Sequence, residues 1–282
     1  MRSKRLDHVT QHATDRLQLV TLDPDHPGFR DRGYRSRRNA IAQQALDFSG
    51  LGEVPDVAYT EAELEVWQVV CERLEGLHAD RAVPWMFAGG ITLPRSHVPQ
   101  LAEVNRLLAP LTGFRLRPVA GLVEGSVFLS MLASKTFLST QYLRHPSRPF
   151  FTPEPDLLHE IVGHAVLLGQ ADYARIHRRF GEASQRARTA QERDRLDRLY
   201  WCTMEFGLCE HDGQPRALGA GLLSSVGELE RIDGSARIEA FDEEAILETA
   251  YDPTTYQPVL YVLPERAKVE SLLSQLLLRI VP

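Results

Sequence analysis

A mainly α-helical fold with a few short strands, an α+β arrangement, is what this sequence predicts, and three observations predict it. Apolar residues recur at three- and four-residue spacing along most of the chain, β-type runs are few and short, and no Gly/Ser linker or composition break divides the middle. The 282 residues are 43% hydrophobic, enough for one large core. We expect a poorly ordered extension over 1–19 and one domain over 20–282.

The elements follow in chain order. Arg30-Asp-Arg-Gly-Tyr-Arg-Ser-Arg-Arg38 reads as a solvated helix start. Thr60-Glu-Ala-Glu63 is a capping box, in which the threonine and the glutamate satisfy each other's backbone N–H groups, and the helix it opens has an apolar face of Leu64, Trp67, Val70, Cys71 and Leu74. Helical periodicity returns near 98–109, 126–141, 154–168, 170–186, 189–209, 242–249 and 264–279, the last carrying Leu272, Leu273, Leu276 and Leu277. Strand signals are confined to 115–119, 236–241 and 258–262.

Composition excludes several function classes. A net charge of −6 and a pI near 5.9 argue against a nucleic-acid surface. No apolar run reaches the length of a membrane span and no secretory segment follows Met1, so no membrane is expected and the cytoplasm is the expected compartment. Cys71, Cys202 and Cys209 lack metal spacing; the last two are expected on one helix face as core thiols in a reducing compartment.

The segment Phe150-Phe-Thr-Pro-Glu-Pro-Asp-Leu-Leu-His-Glu-Ile-Val-Gly-His164 carries the chemistry. His159 and His164 each offer a neutral imidazole nitrogen to a metal, and Asp156 is near enough to orient a ligand. The two histidines are five apart in the chain, so a regular α-helix would splay them by roughly 140°. A π-bulge or loosened turn at Gly163 would bring them together. Without it the segment is a helix start with incidental histidines. The apolar run Leu199-Tyr-Trp-Cys-Thr-Met-Glu-Phe-Gly-Leu208 contains a lone carboxylate, Glu205, which either binds a cation or turns to solvent or to Arg198. Two histidines and one carboxylate form a facial triad that leaves metal positions open, the pattern of non-haem Fe(II) sites. A Zn²⁺ hydrolase using Glu160 as general base is the rival chemistry.

With these residues in view, the chain resembles the catalytic domain of the pterin-dependent aromatic amino acid hydroxylases, the family of phenylalanine, tyrosine and tryptophan hydroxylases. The resemblance rests on Asp25-His-Pro-Gly-Phe29, Val98-Pro-Gln-Leu101, Thr112-Gly-Phe-Arg-Leu-Arg-Pro-Val-Ala-Gly121, Thr140-Gln-Tyr-Leu-Arg-His-Pro146, Thr152-Pro-Glu-Pro-Asp156, His159-Glu-Ile-Val-Gly-His164, Tyr200-Trp201, Glu205-Phe-Gly-Leu208 and Gly219-Ala-Gly-Leu-Leu-Ser-Ser225, in family order over roughly 20–265. It implies that family's catalytic-domain fold, Fe(II) on His159, His164 and Glu205, and a tetrahydropterin, either tetrahydrobiopterin or a related reduced pterin. The ordered runs and the five-residue spacing both oppose the zinc rival.

The resemblance also implies roles residue by residue. Arg144 would hold the substrate carboxylate, its planar fork suiting that task better than a lysine; a structural salt bridge is the alternative. Thr152, Pro155, Trp201 and Phe206 would form the amino acid pocket, and Ser224 would support the site near His159. Gly121, Leu122 and Phe128 would hold the pterin, with Glu160 reaching its ring. Small molecules are the expected partners: an aromatic amino acid, O2 and reduced pterin. Trp201 favours a one-ring substrate, phenylalanine first, with conversion to tyrosine; attack at the meta position and tyrosine 3-hydroxylation are the alternatives. Departures from the family pattern fall at Leu138, Val166, Glu124-Gly-Ser126 and Pro253 in the loop Tyr251-Asp-Pro-Thr-Thr-Tyr256. Family segments for regulation and tetramer formation have no counterpart here, so a monomer or weak dimer is expected.

Overall fold

A computed structural model describes residues 19–88 and 90–282, so the extension expected over 1–19 lies almost wholly outside the described residues. The helices in chain order are α1 (Arg32–Asp47), α2 (Glu61–Arg81), α3 (Leu101–Thr112), α4 (Gly125–Leu132), α5 (Val166–Leu168), α6 (Ala171–Arg186), α7 (Ala190–Tyr200), α8 (Ala220–Leu223), α9 (Val226–Arg231), α10 (Glu243–Glu248) and α11 (Arg266–Ile280). The strands are β1 (Arg115–Pro118), β2 (Thr136–Ser139), β3 (Leu208–His211), β4 (Gln214–Ala217), β5 (Arg237–Ala240) and β6 (Val259–Leu263). Two π-helical segments, His159–Ala165 and Trp201–Glu205, interrupt the helical set.

Local chemistry accounts for several boundaries. The capping box on α2 is formed as the sequence predicts, with Thr60 accepting from the Glu63 N–H and Glu63 accepting from the Thr60 N–H. A second box, Thr189 with Glu192, starts α7. Helix α3 ends at Gly113, which takes the left-handed conformation at φ 81°.

Three expectations need correction. The helix expected over 126–141 stops at Leu132, and 136–139 turn into β2, which pairs in parallel with β1 from Arg115↔Thr136 to Pro118↔Ser139. The apolar residues Phe137 and Leu138 are buried by sheet pairing, a context periodicity cannot see. The run over 189–209 ends as helix at Glu205, so Cys209 lies on β3 and shares no helix face with Cys202, although both thiols are buried and free. The arginine-rich stretch does start a helix, α1, yet Arg38 is buried: its guanidinium lies 3.2 Å from the Tyr142 ring centroid and binds Glu154 at 2.9 Å.

Strands β4-β3-β6-β5 form one sheet, with β3–β4 antiparallel and the β3–β6 and β6–β5 pairs parallel. One continuous apolar cluster runs from Val66 on α2 to Val281 after α11. Within it the two π segments and α8 come together. A Cβ built on Gly163 would sit 2.5 Å from the Ala220 carbonyl oxygen, and one on Gly219 would sit 2.3 Å from that of Glu205. Glycine at these two points is what lets the three backbones approach.

Candidate metal centre and its pocket

The two π segments solve the spacing problem posed by the sequence. An i→i+5 turn places residues five apart on nearly the same face, so His159 and His164 converge where an α-helix would part them. The expected loosening is therefore present, but it spreads over His159–Ala165, and Gly163 owes its identity to the close passage of Ala220. The second π turn carries Glu205 at its end, closed by the Phe206 N–H on the Trp201 carbonyl at 2.9 Å.

His164 Nε2 lies 3.0 Å from His159 Nε2 and 3.0 Å from Glu205 Oε1, and His159 Nε2 lies 3.6 Å from Glu205 Oε2. Among the described residues these three form the one grouping with metal-ligand geometry, their ligand atoms all within 4.8 Å of one another. Glu205 does not pair with Arg198, which instead bonds Asp194 and the Thr249 carbonyl.

Donor and acceptor roles show why a cation fits. Ser224 Oγ donates to the Ala220 carbonyl at 2.7 Å, so at 3.0 Å it accepts from His159 Nδ1–H. That fixes the tautomer and turns the His159 Nε2 lone pair inward. Burial holds His159 down at about 4 and His164 at about 3, and it raises the Glu205 carboxyl. The inward lone pair of His159 Nε2, the Nε2 of His164 and the Glu205 carboxylate thus converge as a donor set that one metal ion would satisfy. Asp156 does not reach the imidazoles. Its carboxylate accepts from the His159 backbone N–H at 3.3 Å and thus anchors the start of the segment.

A cavity of about 270 Å³ opens over this centre. Gly121, Leu122, Phe128, Leu138 and Glu160 line it together with Arg144, Thr152, Pro155, Trp201, Phe206 and Ser224, so every candidate cofactor and substrate residue reaches the same space as the metal candidates. Glu160 Oε1 accepts from the Thr140 N–H at 3.2 Å and from its hydroxyl at 3.1 Å; burial pushes the Glu160 carboxyl up to about 8.

Arg144 is 3% exposed and Asp156 0%. The guanidinium grips Asp156 through Nε at 2.9 Å and Nη2 at 2.7 Å, with Nη1 on the Pro149 carbonyl at 3.4 Å. The salt bridge weighed as the alternative is therefore present, and the side chain also lines the cavity with N–H bonds to spare.

Sequence reasoning gave no role to three groups that shape this pocket. Thr140 clamps Glu160. Gln257 Oε1 accepts from Trp201 Nε1 at 2.7 Å, and Tyr251 stacks on the Trp201 ring with centroids 4.3 Å apart. Phe137 packs against His164 at 4.5 Å. Tyr251 and Gln257 lie 50 and 56 residues from Trp201 in sequence, and no local pattern joins them to it.

Two histidines and a glutamate gathered on a helix-rich frame form a group that could hold a metal ion, and the donor set is of the kind suited to non-haem Fe(II). Comparison with known proteins makes the class specific. The sequence profile described as biopterin-dependent aromatic amino acid hydroxylase matches residues 2–280, and the chain belongs to that family. It is 43% identical over 248 residues to tyrosine 3-monooxygenase of Homo sapiens, covering 86% of this chain and 47% of that protein. It is 37% identical over 276 residues to phenylalanine-4-hydroxylase of Caenorhabditis elegans, covering 95% of this chain and 60% of that one. The chain thus spans about half the length of the curated relatives it matches.

Solved structures agree on the fold. Phenylalanine hydroxylase of Chromobacterium violaceum, with bound iron(III) and 7,8-dihydrobiopterin, superposes with a TM-score of 0.74 at 27% identity over 86% of this chain and 89% of that one. The apo enzyme of Colwellia psychrerythraea 34H also gives 0.74, at 29% identity over 80% and 88%. Among the described residues no helix is long and apolar enough to cross a membrane.

Proposed function

We propose that this chain is an iron- and tetrahydropterin-dependent monooxygenase that hydroxylates the ring of free L-phenylalanine to give tyrosine. One observation carries the reading: His159, His164 and Glu205 converge at the wall of a cavity that Arg144, Trp201 and Glu160 also line.

The residues divide the work. His159, His164 and Glu205 would hold the iron, which with the reduced pterin supplies the activation of O2. Arg144 binds the amino acid carboxylate with the N–H bonds that Asp156 and Pro149 leave over, and Asp156 keeps the guanidinium plane aimed by its two-pronged grip. Trp201, fixed by Gln257 and Tyr251, sets the wall against which an aromatic ring lies. Phe128 and the backbone at Gly121 and Leu122 offer a slot for the flat pterin, and Glu160, steadied by Thr140, is placed to hydrogen-bond its ring. The apolar surround excludes water from the reacting groups.

The test is incubation of the Fe(II) protein with a tetrahydropterin, O2 and, separately, phenylalanine, tyrosine and tryptophan. The expected product is para-tyrosine from phenylalanine, identified by co-chromatography and mass. Meta-tyrosine, or a catechol from tyrosine in its place, would reassign ring position or substrate. Pterin oxidation with no ring product from any of the three would overturn the assignment.

A further inference from the structure

Behind the metal centre, away from the open cavity, three buried polar atoms have no hydrogen-bond partner: His164 Nδ1, His177 Nε2 and Tyr200 Oη. They belong to one cluster. The His177 ring stands nearly perpendicular to His164, centroids 6.4 Å apart, and nearly perpendicular to Tyr200 at 5.7 Å. Phe128, Phe137 and Phe180 close the surround. A buried polar atom left without a partner is costly, and three of them in one nest call for something to satisfy them together.

Their chemistry is complementary. Nδ1 of His177 is 2.8 Å from the Tyr173 carbonyl, which can only accept, so that nitrogen carries the proton and Nε2 presents a lone pair. His164 directs Nε2 toward Glu205 and His159, so with a metal there its Nδ1 is the N–H donor. With ring centroids 6.4 Å apart, the His164 and His177 nitrogens stay at least about 4 Å from each other, beyond a direct hydrogen bond, so a bridging molecule is needed to join them.

We propose that His177 is a positioning residue for the metal: with Tyr200 it holds one buried water that accepts from His164 Nδ1–H and donates to His177 Nε2, fixing the tautomer and orientation of His164. His159 receives the same service directly from Ser224, so both imidazoles are then oriented from behind. A water with a donor, an acceptor and a hydroxyl around it has the three partners buried waters usually take.

The inference rests on His164 being a metal ligand, and the experiment separates the two. Fe(II) is titrated anaerobically into the full chain by calorimetry, for the wild type and for His164→Ala, His177→Phe and His177→Gln, with the apo melting temperature measured alongside. Loss of binding in His164→Ala establishes the ligand. His177→Phe, which keeps the ring and loses the acceptor, is expected to bind Fe(II) on the order of 10- to 100-fold more weakly, with its apo melting temperature maintained. His177→Gln, whose carboxamide oxygen can accept at the same point, is expected to recover most of the affinity. An affinity in His177→Phe within twofold of wild type, or equal losses in both His177 variants, would overturn the proposal while leaving the metal assignment standing. A crystal structure of the Fe(II) protein decides it even where a variant fails to fold: a water bonded to both His164 Nδ1 and His177 Nε2 is expected, and a dry contact there overturns the idea.

Discussion

Arg144 is placed to serve fold and, under the proposed function, chemistry together. Its fork on the fully buried Asp156 ties β2's following loop to the start of the His159 segment, because Asp156 also accepts from the backbone N–H groups of Arg144 and His159. A lysine keeps the charge but cannot grip both carboxylate oxygens and still face the cavity. Arg144→Lys is therefore expected to weaken amino acid binding by roughly 1 to 3 kcal/mol, read as a rise in the Michaelis constant of about fivefold to a hundredfold. The same change should lower the urea midpoint, since a buried pair loses part of its geometry. An unchanged Michaelis constant with a lowered midpoint would show that Arg144 acts only through Asp156.

At the scale of elements, the ligand geometry depends on π turns and on how closely other backbones pass them. A methyl group on Gly163 would press on the Ala220 carbonyl at 2.5 Å, and backbone cannot swing away as a side chain can. Gly163→Ala should therefore destabilise the protein by about 1–3 kcal/mol or more and weaken Fe(II) binding, because the segment must shift bodily. Stability at wild-type level by urea unfolding would show that the contact relaxes at no cost. The end of α2 offers a separate test. His78 Nε2 sits 2.6 Å from the Leu223 carbonyl and its ring stacks on Phe87, and burial lowers it to about 4 from its ordinary 6.5. The unfolded chain then takes up a proton between pH 6.5 and 4 that the folded chain refuses, so stability falls as pH drops through that window. The loss from this group is at most about 3 kcal/mol. His78→Gln should flatten the pH dependence of the unfolding free energy over that range; an identical slope in the variant would exclude His78 as its source.

For the whole molecule, the metal should act as a stabilising ligand, because its three donors come from two segments some forty residues apart that only the fold brings together. Fe(II) at 100 times its dissociation constant should add about 2.7 kcal/mol, a rise in melting temperature of roughly 5–10 °C for a chain of this size. A chelator should reverse the rise, and Glu205→Ala should abolish it. No shift with Fe(II) in the wild type would mean that the convergence of these ligands does not bind the ion.

What the sequence determined by itself was whatever short-range pattern encodes. The α2 capping box, the periodicity of α3, α6 and α11 and the β-type runs of β1, β5 and β6 are local, since hydrogen-bond reach and side-chain repeat set them within a few residues. The convergence of His159, His164 and Glu205 was legible as well: a π turn brings histidines five apart onto one face, and a lone glutamate in an apolar helix asks for a partner such as a cation. Tertiary structure decided the rest. Residues 136–139 became a strand because β1 was there to pair with them, and Arg38 was buried because Tyr142 and Glu154 met it from over a hundred residues away. Thr140, Tyr200 and Tyr251 stand in runs that drew notice in the sequence, yet nothing local pairs Trp201 with Gln257 and Tyr251, Glu160 with Thr140, or His164 with His177 and Tyr200. Their roles arise from packing between distant segments, where distance and shared burial, not spacing along the backbone, determine which polar atoms meet.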